Sequence, residues 1–329
     1  MDTLIGIFES RAATAWRDLR PELGEPERIE ILKGRKERKM VFRLVGAGPS
    51  RTDVIAKRYR LTTGLVERAI YDVVLPRLPV PSLRSHGFVE EADGTRCWLF
   101  LEDAGGEPYS VSVEDHRRLA GRWLGLLHTS APQAPAAGLP DRGPGHYLEC
   151  LRTARARIAA HRENATASPH RSAVLGAMLL WLDALEARWD AVERFCDAMP
   201  RTVVHGDFVP KNLRVRPGEA GLALLCFDWG CAGWGHPAAD LAQRPASSDR
   251  FSASPDLAAY WSVVREHWPE YGLAMVSQWA NLGGVFRSLA SISWASRSLA
   301  STSVDKHIAE MLVGQAAIAR ALRAAAWVD

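Results

Sequence analysis

Hydrophobic and polar residues alternate in the first hundred positions in a way that predicts a leading helix and a small sheet. Apolar residues recur at helical spacing from Leu4 to Leu19, so residues 1–20 are expected to form an amphipathic helix. A second helix is expected from Thr62 to about Leu75. Short apolar runs bounded by turn-forming or charged residues predict five strands, at 29–32, 40–45, 54–59, 84–90 and 97–101.

Helical periodicity dominates the rest of the chain. Apolar residues recur every three or four positions, and the predicted helices cover 113–128, 147–163, 172–199, 255–267, 273–299 and 303–327. One hairpin interrupts them, with strands at 213–216 and 222–227. The pattern predicts an α+β protein with a small antiparallel sheet in an N-terminal lobe, residues 1–104. The larger lobe, residues 105–329, is predicted to be mainly helical.

The hairpin brings together polar residues that lie apart in the sequence. Asn212 precedes its first strand and Asp228 follows its second, so both are expected at the same end of the hairpin. An amide and a carboxylate oxygen suit Mg²⁺, which takes few protein ligands and keeps phosphate oxygens and waters. Asp207, in the preceding loop, is not assigned to the metal and can accept a proton. This arrangement is used for phosphoryl transfer from a nucleotide to a hydroxyl group.

A buried ion pair is predicted upstream of this motif. Lys57 shares one face of a strand with Ile55, and Glu67 lies in the apolar stripe of the helix that follows. Charged side chains are rarely buried without a partner, so the two are expected to pair. Such a pair would hold the ammonium group against nucleotide phosphates. The alternative is a surface ion pair without a catalytic role.

Two loops of the first lobe are candidates for nucleotide contact. The strand ending at Leu101 runs into acidic residues and two glycines, which indicates a hinge whose backbone at Glu102 and Ala104 would hydrogen-bond a nucleobase. The basic loop Lys33–Lys39 either lies over the phosphates or is a solvated turn. It has a single glycine, Gly34, whereas phosphate-cradling loops normally carry several.

Composition excludes several classes of protein. Hydrophobic residues make up 47% and charged residues 24% of the 329 positions, as in an ordinary soluble protein, and the net charge of +3 gives no nucleic-acid or membrane signature. Five cysteines without a Cys-x-x-Cys pair fit a reducing compartment. The N-terminus lacks a signal-peptide pattern, and the longest apolar run, Ala173–Leu182, is too short to span a bilayer. We therefore expect a cytoplasmic protein with no nucleic-acid or membrane partner. The sequence does not indicate an oligomeric state.

Together, the motifs resemble those of aminoglycoside phosphotransferases and choline kinase-like enzymes. The resemblance covers about residues 28–300, and it implies a bilobal, protein-kinase-like fold. It rests on these runs and residues: His205-Gly206-Asp207 with Lys211-Asn212, Phe227-Asp228-Trp229, Gly235-His236-Pro237 with Asp240-Leu241-Ala242, and upstream Lys57, Glu67 and Trp98–Ala104.

Carried over to this chain, the resemblance implies roles for the second-half motifs. Asp207 would be the catalytic base, and Asn212 with Asp228 would hold Mg²⁺. His205 would brace the catalytic loop. Independently of the resemblance, a helix is predicted to open at Ala238–Ala242. Asp240 at its start would either cap this helix or hold the catalytic loop, and we favour capping.

The resemblance also implies a nucleotide site in the first lobe. Lys57 would bind the α- and β-phosphates of ATP or GTP and would be oriented by Glu67. The backbone of Glu102 and Ala104 would face the purine. The basic loop departs from the family pattern, and Gly34 is assigned to nucleotide contact with it.

The acceptor is constrained by charge. A polycationic aminoglycoside needs several carboxylates around it, but from Asn281 onward the chain has three acids against five Lys or Arg residues, among them Arg287. This balance favours a less cationic or partly anionic hydroxyl compound. The candidate substrate contacts are Trp234, His236 and Trp294, with core packing as the competing explanation for Trp294.

We expect an Mg-dependent small-molecule O-phosphotransferase that moves the γ-phosphate of ATP or GTP to a substrate hydroxyl. An antibiotic or related natural product is the first choice of acceptor, and a primary metabolite such as a sugar, amino alcohol or hydroxy amino acid is the alternative. A nucleotide-binding pseudo-kinase regulator is the competing class, although the intact motif residues argue against it. A protein kinase is disfavoured because no activation segment is evident after Asp228.

Overall fold

The fold is described, as a computed structural model, for residues 2–34, 39–131, 138–164, 169–219, 221–244 and 251–325. The helices are α1 (Asp2–Leu19), α2 (Leu61–Ala69), α3 (Glu114–Ser130), α4 (Pro144–Asn164), α5 (Pro169–Glu186), α6 (Trp189–Asp197), α7 (Leu257–Val264), α8 (Leu273–Ser296) and α9 (Val304–Arg323). The strands are β1 (Arg28–Lys33), β2 (Met40–Val45), β3 (Val54–Arg60), β4 (Ser85–Glu90), β5 (Arg96–Glu102), β6 (Glu107–Pro108), β7 (Asp141–Arg142), β8 (Thr202–Val204), β9 (Leu213–Gly218), β10 (Gly221–Cys226) and β11 (Gly233–Gly235). The predicted α+β class, with an antiparallel sheet in the N-terminal part and helices in the C-terminal part, is confirmed.

The chain divides into two compact units. The first unit is Met1–Tyr109, Ala134–Leu139 and Asn212–Ala232; the second is Ser110–Gln133, Pro140–Lys211 and Gly233–Asp329. The hairpin of β9 and β10 therefore groups with the N-terminal sheet, although it comes late in the sequence. The functional lobes expected at 1–104 and 105–329 stay a prediction.

An antiparallel sheet in the order β1-β2-β3-β5-β4 organises the first unit. Alternation along its strands sends apolar side chains to one face, where Phe42 and Ala56 pack with Trp98 and with Trp16 of α1. Trp16 and Phe42 are fully buried, and burial of such side chains stabilises a fold by about 1.5–3 kcal/mol each.

The opposite face of this sheet receives α2. The close approach depends on Gly64, because a Cβ atom there would lie 2.1 Å from the Sγ atom of Cys97 on β5. A short π-helical segment, Ile70–Val74, continues α2. Since β3 alternates, Lys57 points to the α2 face while Ala56 belongs to the core on the other face.

The second unit is built around α8, most of whose residues are buried. Helices α4 and α9 pack against it, and the rings of Tyr147 on α4 and Phe286 on α8 stack with centroids 3.9 Å apart. A small sheet in the order β7-β11-β8 completes the unit, with β11 parallel to β7 and antiparallel to β8.

Three predicted helices differ from the observed elements. The helix expected at 172–199 is two helices, α5 and α6, because the chain turns at Ala187 and Arg188, whose N–H groups donate to Asp183 and Leu185. The helix expected to open at Ala238 is a single 3-10 turn, Pro237–Asp240. The helix expected to reach Trp327 ends at Arg323, and Trp327 lies outside the described residues.

Within these described ranges, the structure contains no helix that is both long enough and apolar enough to cross a lipid bilayer.

Candidate active site

The hairpin of the first unit brings Asn212 and Asp228 to one end. Strands β9 and β10 pair in register from Gly218 opposite Gly221 to Leu213 opposite Cys226, and beyond the last pair the Phe227 N–H donates to the Asn212 carbonyl oxygen at 3.0 Å. Asp228 follows directly. Its backbone is left-handed, with φ 71° and ψ 55°, which is uncommon for a residue other than glycine. Asp228 thus places a carboxylate at a backbone conformation that glycine adopts more easily.

Two ammonium groups hold the Asp228 carboxylate. Lys57 Nζ lies 3.1 Å from Asp228 Oδ1, and Lys39 Nζ contacts the same oxygen. Burial alone would raise the pKa of the Asp228 carboxyl, but the charges of Lys57 and Lys39 outweigh it and hold this pKa well below its ordinary value. Asp228 is therefore a carboxylate, the form that binds a cation.

Lys57 and Glu67 form the buried pair expected from their positions on β3 and α2. Lys57 Nζ donates to both carboxylate oxygens of Glu67, at 2.7 and 2.6 Å, and the Glu67 side chain is fully buried. Burial alone would lower the pKa of Lys57, but Asp228 and Glu67 together raise it. The ammonium group therefore stays charged in a buried position, which an unpaired lysine would not tolerate.

The donor set at the hairpin end fits a magnesium ion. Mg²⁺ is usually bound by one or two protein oxygens together with phosphate oxygens and waters, and Asn212 with Asp228 supplies one amide and one carboxylate. Lys57 and Lys39 contact Asp228 Oδ1 and keep the group ionised. Within the described ranges, no cluster of three or more His, Cys, Asp or Glu side chains offers an all-protein metal site.

The hinge residues partly use their hydrogen-bonding groups within the protein. The Glu102 N–H donates to the Arg84 carbonyl oxygen at 2.9 Å, and the Ala104 carbonyl oxygen accepts from Arg216 Nη1 at 3.3 Å. The Glu102 carboxylate also pairs with Arg216, at 2.6 Å. A nucleobase would therefore have to meet the Glu102 carbonyl and the Ala104 N–H, and the assignment of both residues to the purine stays a prediction.

The basic loop is described only at its two ends. Gly34 has a positive φ of 134°, and a Cβ atom there would lie 3.1 Å from the Met40 side chain, so the turn after β1 requires glycine. Residues 35–38 lie outside the described residues. Lys39, at the far end of the loop, contacts Asp228. The sequence marked the loop as basic but did not single out Lys39, and the role of Gly34 in nucleotide contact stays a prediction.

In the second unit, a carboxylate holds the loop that carries Asp207. Asp240 accepts from the His205 N–H at 2.7 Å and from the Gly206 N–H at 2.8 Å, and the Asp207 N–H donates to His205 Nδ1 at 3.1 Å. The preference for Asp240 as a helix cap was therefore wrong. Its side chain accepts hydrogen bonds from the loop, and the described residues that follow it, 241–244, do not form an α-helix.

A buried histidine extends this network. His128 Nε2 lies 3.4 Å from Asp240 Oδ2, and His128 Nδ1 lies 3.1 Å from the Tyr260 hydroxyl group. His128 is fully buried. His128 was not predicted as a site residue, and the only signal in the sequence is a histidine at the end of the inward-facing stripe of α3.

Asp207 itself lies between two cations. Its Oδ1 atom accepts from Arg287 Nη1 at 2.8 Å, and its Oδ2 atom is 3.2 Å from Lys211 Nζ. The residue is 7% exposed. Arg287 also donates through Nε to the Phe251 carbonyl oxygen at 2.9 Å. From the sequence, Arg287 was counted only as one of several positive charges, and its contact with Asp207 was not predicted.

The three predicted substrate residues have different surroundings. The Trp294 ring lies 5.1 Å from the Arg287 guanidinium, which connects it to Asp207. The Trp234 backbone on β11 bonds to Pro140 and Arg201. His236 is buried and donates from Nδ1 to the Pro200 carbonyl oxygen.

His236 also lines a cavity of about 530 Å³ together with Asp141, His146 and Arg201. Asp207 is not among the described residues that line this cavity. Trp294 is connected to Asp207 through Arg287, and the roles of all three residues stay predictions.

Comparison with known proteins bears on the whole arrangement. A family model described as "Phosphotransferase enzyme family" matches residues 27–272. A search of curated protein sequences gave no match.

Solved structures are similar to the chain over most of its length. The complex of the aminoglycoside phosphotransferase APH(2″)-IIIa with GDP and kanamycin is 14% identical, with a TM-score of 0.61 over 93% of this chain and 98% of that one. Ethanolamine kinase from Plasmodium vivax is 12% identical, with a TM-score of 0.60 over 88% and 81%. Choline kinase from Cryptosporidium parvum is 13% identical, with a TM-score of 0.58 over 98% and 95%. At these identities the likeness shows the fold, and the expected protein-kinase-like fold is confirmed.

Proposed function

Because the chain belongs to the phosphotransferase enzyme family, we propose that it transfers the γ-phosphate of ATP or GTP to a hydroxyl group of a small molecule. The observation that carries this proposal is the Lys57 ammonium group bound by both Glu67 and Asp228. Glu67 fixes the buried lysine, and Asp228 lies beside it at the hairpin end. Together these groups supply the charges that a bound nucleoside triphosphate and its metal ion require.

In this proposal the first unit holds the nucleotide. Lys57 contacts the α- and β-phosphates, and Glu67 keeps its ammonium group in place. Asn212 and Asp228 hold Mg²⁺, which when bound neutralises phosphate charge. Lys39 adds a cation for the phosphates, and the backbone at Glu102 and Ala104 meets the base.

The second unit supplies the proton acceptor. The acceptor hydroxyl gives its proton to Asp207 while its oxygen bonds to the γ-phosphorus. The bond from that phosphorus to the β–γ bridging oxygen breaks, which yields a nucleoside diphosphate and a phosphate monoester. Asp240 positions Asp207 by fixing the loop before it. We place this reaction in the cytoplasm, where the nucleotide is supplied.

The acceptor is proposed to be a small hydroxylated compound, with natural products such as antibiotics and primary metabolites both in the class. The neighbouring structures include a kanamycin complex, an ethanolamine kinase and a choline kinase. A screen of hydroxyl compounds from both groups, followed by mass spectrometry for the nucleotide-dependent gain of one phosphate, identifies the acceptor.

Asp207→Asn tests the proposal. The amide cannot take up the proton, so turnover of any acceptor found in the screen should fall about 100- to 10,000-fold, while nucleotide binding by calorimetry stays close to wild type. Asp190→Asn, at an exposed position on α6, is the matched control. Turnover by Asp207→Asn near the wild-type rate would remove the base assignment, and a wild-type protein that binds neither nucleotide would remove the enzyme proposal itself.

A further inference from the structure

Arg287 occupies a position beside the proposed base that bears on the acceptor. The Asp207 carboxylate has one cation at each oxygen, Arg287 at 2.8 Å and Lys211 at 3.2 Å. These two positive charges face one negative charge. An approaching hydroxyl compound therefore meets a local excess of positive charge, which repels an ammonium group and attracts an anion.

The Arg287 guanidinium is held in one orientation. Nε is bonded to the Phe251 carbonyl oxygen, Nη1 is bonded to Asp207, and the Trp294 ring lies 5.1 Å from the guanidinium carbon. A guanidinium has five N–H donors in a rigid fork that matches carboxylate and phosphate geometry. Its hydrogen bonds to other described residues are made by Nε and Nη1. The N–H groups of Nη2 therefore remain able to donate to a ligand. The side chain is 12% exposed, so this edge is not sealed.

A cavity of about 230 Å³ in the second unit is lined by two other arginines. Arg244 and Arg320 contribute its charged lining, with Asn281 and Gly284 of α8 beside them. Phe251 connects the cavity to Arg287, because Phe251 lines the cavity and its carbonyl oxygen accepts from Arg287. No Asp or Glu belongs to the lining of this cavity in the part of the chain that the structure describes.

We propose that the acceptor carries an anionic group, a carboxylate or a phosphate, which Arg287 binds while the acceptor presents its hydroxyl to Asp207. The proposal rests on the proposed phosphotransferase function and narrows its substrate class. Arg287 would thereby select hydroxy acids or phosphorylated alcohols over amino alcohols.

The test uses sets of acceptors that share one hydroxyl-bearing scaffold and differ in a single group: carboxylate, phosphate, carboxamide or amine. Each set is incubated with Mg²⁺ and ATP or GTP, and phosphate gain is measured by mass spectrometry to obtain kcat/KM. Wild type, Arg287→Lys and Arg287→Gln are compared. Arg297→Gln, an exposed arginine just after α8, is the matched control. Comparing kcat/KM for the carboxylate and phosphate members shows which of the two anionic groups the enzyme prefers.

Wild type is expected to prefer one anionic member of a set over its carboxamide by about 10- to 100-fold, the size expected for charge-assisted hydrogen bonds. Arg287→Gln should abolish this preference, Arg287→Lys should keep part of it, and Arg297→Gln should leave it unchanged. The preference is a ratio within one variant, so a general loss of rate cannot mimic the result. If Arg287→Gln is inactive with every acceptor, calorimetric binding of the carboxylate, phosphate and carboxamide members to that variant gives the same ratio.

Two results overturn the proposal: wild type hydrolyses nucleotide but phosphorylates no anionic member or prefers the amine, or Arg287→Gln keeps the wild-type preference. In both cases the phosphotransferase proposal stands. A wild-type protein that neither binds nor hydrolyses nucleotide fails at the earlier step, so the two failures are distinguishable.

Discussion

At the scale of single residues, charge balance dominates the first unit. Lys57 and Lys39 face Glu67 and Asp228, so the described cluster has two positive and two negative groups. Lys57 and Glu67 are nearly or fully buried, whereas the Lys39 side chain is 31% exposed. The buried pair is therefore the fixed part of the cluster. In the proposed function, the more exposed Lys39 would exchange its contact with Asp228 for one with a phosphate oxygen.

Lys39→Gln should weaken nucleotide binding without abolishing it. Removing a half-exposed cation from a phosphate should cost about 0.5–1.5 kcal/mol, or about a 3- to 10-fold rise in Kd for the magnesium nucleotide. Calorimetric titration measures this rise. Lys33→Gln, at the other end of the basic loop, is the control, and an equal effect of both variants would mean that the loop acts only through its overall charge.

A second residue-scale prediction concerns acid stability. Burial lowers the pKa of His146 from 6.5 to about 4, with a further contribution from Arg142 beside it. Because the unfolded chain takes up this proton more readily than the folded one, stability should fall as the pH drops from about 6.5 towards 4. The loss of folding stability from this histidine is at most about 3 kcal/mol. It should be smaller in practice, because the ring is partly exposed to solvent.

His146→Gln should flatten this slope. Urea unfolding at pH 6.5, 5 and 4 gives the stability difference, and His170→Gln, at an exposed position, is the control. A variant that loses stability between these pH values as steeply as wild type would show that other groups cause the acid sensitivity.

Local pattern explains which site residues could be predicted. Lys57 and Glu67 lie ten residues apart on adjoining elements, and hairpin geometry alone placed Asn212 near Asp228. Arg287 lies 80 residues from Asp207 on a helix whose periodicity predicts only core packing. Its contact follows from tertiary packing, which one sequence does not encode in any local pattern.

At the scale of elements, the segment after Asp228 fixes α2 at close range. A Cβ atom at Gly230 would lie 2.7 Å from Thr63 Cγ2 and 3.6 Å from Glu67 Oε1. Glycine is therefore required here by the approach of α2 rather than by its own backbone angles. The position of Glu67, and through it that of Lys57, depends on this contact.

Gly230→Ala should push α2 away and destabilise the protein by about 1–3 kcal/mol, as overpacking usually does. The added Thr63→Ser change removes the methyl group that the new Cβ meets, so the double variant should regain most of the loss. Urea unfolding of the wild type, both single variants and the double variant measures the coupling. Strictly additive effects would show that the methyl contact is not the cause.

Helix boundaries show a limit of periodicity at this scale. Leu175, Met178, Leu182 and Leu185 of α5 continue at the same spacing into Trp189 of α6, and all five are buried. The apolar pattern therefore runs unbroken through the turn at Ala187 and Arg188. No glycine or proline marks the break, so a single helix was the natural prediction.

At the scale of the whole molecule, the order of the elements was predictable but their grouping was not. The five strands of the N-terminal sheet appear where the alternation placed them. The segment Asn212–Ala232, however, joins the first unit from the second half of the chain. Its strand β9 pairs with β6 at Glu107 and Pro108, a two-residue strand too short to give a sequence signal.

This grouping predicts that nucleotide binding and proton acceptance are separable. A magnesium nucleotide that binds only the folded state adds about 2.7 kcal/mol of stability at a concentration 100 times its Kd. This corresponds to a rise in Tm of about 4 °C for a chain of this size. Asp207→Asn, in the second unit, should keep this rise. Asp228→Asn, in the first unit, should lose most of it, because Asp228 is both the proposed metal ligand and a partner of Lys57.

Calorimetric melting with and without the magnesium nucleotide measures the two shifts, and EDTA in place of magnesium separates the contribution of the metal from that of the base and sugar. Asp190→Asn again serves as the control for the loss of one carboxylate at an exposed position. If Asp228→Asn keeps the full rise and Asp207→Asn loses it, the assignment of nucleotide binding to the first unit is wrong. If both variants keep the rise, neither carboxylate contributes to nucleotide affinity, and the role of Asp228 must then lie in the transfer step, where kcat rather than Kd would report it.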